Sequence, residues 1–211
     1  MDNSDNVKSL YQSIETNRNS YEKEVIAWFY DTDDENLRSI CFEYMSYFEM
    51  LGEKTILDAL ASDEFGLVCL ALEEVDFNSD EKIKEQLVKI ANVGDEPFLV
   101  AWSLFHCVYL SFNEFQKFEP LRFKWRGSTI VRAALCFMDA AKKADYESIS
   151  NLLVYLNNSD YEVRSIAVRA SEYFFGSAFE SLVISRLKDQ EKKEELPFLK
   201  EQIQDLVAFN I

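Results

Sequence analysis

Glycine and proline are scarce, with 5 and 3 among 211 residues. A many-stranded sandwich or barrel needs tight turns every few residues, so this poverty argues for long helices joined by short polar turns. Histidine is scarcer still: His106 stands alone. With no Gly-rich phosphate loop and no G-x-S-x-G elbow, few options remain for a nucleophile and its base, and no enzyme is expected. The four cysteines, Cys41, Cys69, Cys107 and Cys136, lie far apart inside apolar stretches such as "SICFEY" and "FHCVYL". They read as small buried hydrophobes kept reduced, not as a disulfide frame or a zinc site. His106 and Cys107 are adjacent and point apart on a helix, so no metal or other cofactor is expected. No apolar run approaches the ~20 residues of a bilayer span, and the opening "MDNSD" has the wrong charge for a secretory signal. A soluble cytoplasmic monomer that avoids membranes is expected.

Basic residues are the scarce charge. Lys and Arg number 22 against 38 Asp and Glu, a balance of −16. Residues 1–96 hold 23 acids and 8 bases, whereas residues 97–211 hold 15 and 14. The acidic half would repel a phosphate backbone, which proteins grip by neutralising it with Lys and Arg. It suits a basic protein partner instead.

What the chain does have is a period. "DTDDENLRSICFEY" (31–44) and "NNSDYEVRSIAVRA" (157–170) align so that Asp34 meets Asp160, Leu37 meets Val163, and Arg38-Ser39-Ile40 meets Arg164-Ser165-Ile166. Apolar residues following a polar turn recur at Leu37, Leu67, Leu99, Val131, Val163 and Leu199, with gaps of 30, 32, 32, 32 and 36. Stacked helical pairs leave such a period. Within the fifth unit, Ile149, Leu152, Leu153 and Leu156 mark one helix face. "NNSD" breaks it, and Val163, Ile166, Ala167, Ala170 and Phe174 mark a second, with Asp160 placed to cap. Pro97, Pro120 and Pro197 each precede an apolar run and mark first helical positions, where a missing N–H costs nothing.

The acidic turn, the apolar position, the arginine and the small-plus-apolar face of "NNSDYEVRSIAVRASEYF", "DTDDENLRSICFEYMSYF" and "GSTIVRAALCFMDAA" resemble the HEAT-repeat family and its bacterial HEAT-like relatives. That resemblance implies an all-α fold, an α-α superhelix (solenoid) of about six antiparallel helix pairs. Residues 1–211 would form a single domain, with 1–20 as an N-terminal capping helix and 21–211 as stacked pairs. It also implies aspartate–arginine pairing between successive repeats, interrupted at Leu67-Val68 and Leu99-Val100, which lack the arginine. Asp34/Arg38 and Asp160/Arg164 are therefore expected to cap helices and stitch neighbouring units.

In such a stack equivalent turns lie side by side, about 10 Å apart. Asp31, Asp33, Asp34, Glu35, Asp63, Glu64, Asp95 and Glu96 would then line one edge as an acidic ridge for a basic protein. One acid per turn is explained by capping alone, but "DTDDE" carries four. A secondary patch lies in "SFNEFQKFEPLRFKWRGS", where Lys117, Arg122, Lys124, Trp125 and Arg126 interleave with Phe112, Phe115, Phe118 and Phe123. Aromatic and basic residues together grip single-stranded nucleic acid or anchor a protein. The plainer account of the Phe112, Phe115, Phe118 step is one buried helix face. The function read from these features is non-enzymatic binding of a basic protein, with no nucleic acid bound. Its sharper form follows from the resemblance of small acidic HEAT-like proteins to bacterial immunity proteins, which cover a toxin's basic active face. The alternatives are a nucleic-acid-acting enzyme of the alkylpurine DNA glycosylase type, using Trp102 or Trp125 with nearby carboxylates, and a structural adaptor.

Overall fold

The computed structural model describes residues 3–76, 79–111 and 114–208. Its regular structure is all helical: thirteen α-helices and two short 3₁₀ segments, with no strand among the described residues. No helix among them is long and apolar enough to cross a membrane. Two compact units form, Met1–Gln86 and Leu87–Ile211.

The first unit holds α1 (Asn3–Glu15), α2 (Glu24–Asp31), α3 (Glu35–Tyr47), α4 (Glu53–Leu60), α5 (Phe65–Glu73) and the start of α6 (Glu81–Val93). Helix α3 is its centre and packs on α1, α2 and α5, while α4 packs on α5. Leu37, Ile40, Cys41 and Tyr44 put their three-four stripe into this core, with Phe42 and Met45 beside it. Phe48, at the end of the stripe, is half-buried. Tyr44 is fully enclosed, yet its hydroxyl donates to Asn19 Oδ1 (2.9 Å) and accepts the Tyr21 N–H (3.0 Å). A buried phenol needs such partners, and these tie the α1–α2 connection to the core.

The second unit holds the rest of α6, then α7 (Pro97–Tyr109), a 3₁₀ turn over Phe115–Phe118, α8 (Glu119–Lys124), α9 (Thr129–Lys143) and α10 (Tyr146–Leu153). A second 3₁₀ turn over Val154–Asn157 leads to α11 (Tyr161–Glu172), α12 (Glu180–Glu191) and α13 (Pro197–Ala208). Helix α9 packs on α7, α10 and α11; α11 also meets α7 and α13, and α12 meets α13. Every residue named for the two faces of the fifth unit, from Ile149 to Phe174, is buried.

Each of the six landmarks is the third residue of its helix, in α3, α5, α7, α9, α11 and α13. Five are buried, and at Leu99 the half-buried position passes the inner place to Val100. Pro97 and Pro197 open their helices, but Pro120 is the second residue of α8 because Glu119 precedes it in the helix.

Side-chain caps set the helix starts. Asp34 Oδ1 accepts the N–H groups of Asn36 (3.0 Å) and Leu37 (3.2 Å). Asp145 accepts from Ser148 at 2.8 Å, and Asp160 accepts from Glu162 at 3.0 Å. Removing the Asp160 carboxylate by Asp160→Ala leaves that N–H without its acceptor. The expected loss is about 1 kcal/mol in urea denaturation, with the slope of the transition unchanged.

Candidate functional site

The eight ridge residues separate into used and unused carboxylates. Asp34 is spent on capping α3. Glu64 is spent on Arg38, whose guanidinium also donates to the Thr32 carbonyl. One arginine thus fastens the α2–α3 turn to the α4–α5 turn, and the first two acidic turns of the expected ridge do come together. Asp31, Asp33, Glu35 and Asp63 are exposed, and their carboxylates have no partner among the described residues. Asp95 and Glu96 belong to the second unit, between α6 and α7, where both are exposed. Glu96 stands at the N-cap of α7 without making a side-chain cap bond.

The stitching differs from the expected aspartate–arginine pairing. Both aspartates cap, and both arginines reach a glutamate in the next helical turn region. Arg164 holds Glu194 through two parallel bonds of 2.8 Å, Nε to Oε2 and Nη2 to Oε1. Its Nη1 donates to the carbonyls of Asn158 (2.9 Å) and Ser159 (3.0 Å). Arg38 and Arg164 therefore share one design: each bonds the carbonyl six residues back and a glutamate further on. The guanidinium first, then the Gln190 amide and the Leu196 N–H, hold the Glu194 carboxyl down to about 2.

Two clefts of the first unit have carboxylates in their walls. One, of about 290 Å³, lies under the α2–α3 turn and is lined by Asn6, Trp28, Asp31, Asp33 and Leu37 among others. The second, of about 260 Å³, lies between α3 and α5, with Glu43, Tyr47, Glu73 and Glu74 on its walls. Burial, and then the charge of Glu73, pushes the Glu43 carboxyl above its ordinary range. Ser46 donates to Glu74 at 2.5 Å. The acids of the first cleft stand close together in one stretch of sequence, whereas those of the second come from the distant α3 and α5 regions and share no sequence pattern. Nor does the sequence single out Asn6, which only tertiary packing brings to the first cleft.

The aromatic and basic stretch is largely tied into its own unit. Lys117 pairs with Glu114, Arg122 with Glu119 (2.8 Å) and Asp139 (2.6 Å), and Lys124 donates to the Gly94 carbonyl (2.7 Å). Phe118 is buried and Phe115 half-buried, in a 3₁₀ turn instead of a helix face; Phe112 lies outside the described residues. Phe123 is 78% exposed, with the Arg126 guanidinium 5.1 Å from its ring centre. Trp125 is half-buried. Trp102 is only 8% exposed, and Arg169 sits 5.2 Å over its ring.

His106 is enclosed beside Trp102 and Phe105, and burial, followed by the Arg169 charge, lowers its pKa to about 3. The imidazole is neutral at pH 7. Cys41 and Cys107 are buried, and burial drives both thiols up to about 12, so neither offers a thiolate. Cys69 and Cys136 are half-buried. Among the described residues no three His, Cys, Asp or Glu side chains form a group able to hold a metal ion. What this surface offers is fixed negative charge on ordered backbone. Compared with protein-family models, curated proteins and solved structures, the chain finds no match in any of the three.

Proposed function

We propose that this protein is a non-enzymatic HEAT-like α-solenoid of six helix pairs, whose acidic N-terminal part binds a basic protein. In its sharper form the partner is a toxin and the chain its immunity protein, covering a positively charged active face. The solenoid reading is supported by the landmark at the third position of alternate helices, and by the matching Arg38–Glu64 and Arg164–Glu194 pairs. The partner reading is carried by one observation. Asp31, Asp33 and Asp63 stand exposed, without a partner among the described residues, at two turns that Arg38 fastens together. Carboxylates held by ordered backbone attract a basic surface without first losing a partner of their own, and they speed encounter at low salt.

The test is affinity capture from cell extract, followed by association kinetics of the captured protein. Reversing Asp31, Asp33 and Asp63 to Lys is expected to slow association by about tenfold or more at low salt and to flatten its salt dependence. A captured partner whose kinetics ignore the triple reversal removes this surface from the function. A second reading rests on Phe123, exposed with Arg126 over its ring, which suits stacking on single-stranded nucleic acid. A gel shift at physiological salt with a steep salt slope, lost in Phe123→Ala, would favour it over the protein partner.

A further inference from the structure

We infer that the cleft under the α2–α3 turn is a receptor for one arginine side chain of the basic partner, an inference that rests on the partner reading above. Its shape and its chemistry are both specific. The cleft holds about 290 Å³ and combines a half-buried indole, Trp28, with the buried apolar side chain of Leu37 and two carboxylates, Asp31 and Asp33. The loop that carries those carboxylates is fixed from within. Thr32 Oγ1 accepts the Asp34 N–H (3.1 Å), Asp34 caps α3, and Arg38 holds the Thr32 carbonyl. Asp31 and Asp33 are thus left over by the fold.

A second observation is independent of the acidic turn. Asn6, on α1, lines the same cleft, is 7% exposed, and its Oδ1 has no hydrogen-bond partner among the described residues. Buried polar atoms are satisfied as a rule, and an acceptor without a partner on a residue of the cleft wall calls for a donor from a ligand. The donor that fits all of these walls together is a guanidinium. It is planar enough to lie on an indole face, it carries five N–H groups for an amide oxygen and two carboxylates, and its stem is apolar. An ammonium supplies three donors on a strongly hydrated point charge and makes poorer use of the indole.

The experiment titrates the full chain with three small probes, the Nα-acetyl amides of arginine, lysine and citrulline. It follows the Asn6 side-chain amide and the Trp28 indole N–H by NMR. Arginine amide is expected to shift both signals saturably. Lysine amide should bind about tenfold more weakly, and citrulline, which keeps the shape without the charge, weaker again. Asp33→Asn, which leaves the cap and the core untouched, should cost about tenfold for the arginine probe. Asn6→Leu should weaken it too, and the unaltered spectrum elsewhere would report an intact fold. Equal binding of the arginine and lysine probes, or shifts that miss Asn6 and Trp28, would overturn the receptor. If the probes fail while the triple reversal still slows a captured partner, the receptor falls and the broader reading stands. Loss of both overturns both.

Discussion

Arg164→Ala is expected to cost about 3–5 kcal/mol of stability, the largest single effect in the second unit. The Glu194 side chain is 1% exposed, and both of its oxygens are filled, two bonds coming from Arg164 and one each from Gln190 and Leu196. Taking away the guanidinium leaves that carboxylate without two of its four hydrogen bonds and without its counter-charge. Asn158 and Ser159 lose their donor in the same step, which loosens the turn before α11. The double variant Arg164→Met with Glu194→Leu should recover much of the loss, since it leaves no buried charge uncompensated. A double-mutant cycle by chemical denaturation measures this; additive single losses would mean the pair is not coupled. Arg38→Ala should cost less, because the equivalent pair is more open and one oxygen of Glu64 already lacks a partner among the described residues.

The contrast between these two arginines shows what the sequence could and could not reveal. Helix positions and buried faces were legible because three-four spacing and capping residues act locally, as at Val163 to Phe174 behind Asp160. In "DTDDE" the capping role of Asp34 was legible from its alignment with Asp160, and the structure bears it out. Which of the neighbouring acids would stay exposed was not, since a string of carboxylates looks uniform until packing decides. Likewise Arg38 was expected to pair with an aspartate of a neighbouring repeat, but its long side chain reaches a glutamate, Glu64. Glu194 stands in "EKKEEL", where nothing marks one glutamate from the next. Asn6 has no pattern of its own, since a single polar residue on a polar helix acquires meaning only through the cleft it faces. Phe118, on the three-residue phenylalanine step, is buried as that spacing suggests, whereas Phe123, off the step, stands exposed.

Acid should unfold this chain early, and His106 should set where the fall begins. A histidine whose pKa drops from 6.5 unfolded to about 3 folded lets the unfolded state take the proton first. Its contribution is complete above about pH 6.5 and is lost as pH falls toward 3, in all some 5 kcal/mol, with about 2 gone by pH 5. Glu194 acts lower down. Its carboxyl is depressed from 4.5 to about 2, so its contribution, about 3 kcal/mol, is present above 4.5 and lost as pH falls through 2. Glu43 works the other way: its raised pKa means the folded state binds the proton first, and acid favours folding there. Because that opposing effect is common to both proteins, the difference between the parent chain and His106→Leu isolates the imidazole. Urea denaturation at pH 7 and pH 5 should show the parent losing about 2 kcal/mol more than the variant. Parallel losses in the two would mean that His106 takes its proton as readily in the folded chain as in the unfolded one, and is not sealed among Trp102 and Phe105.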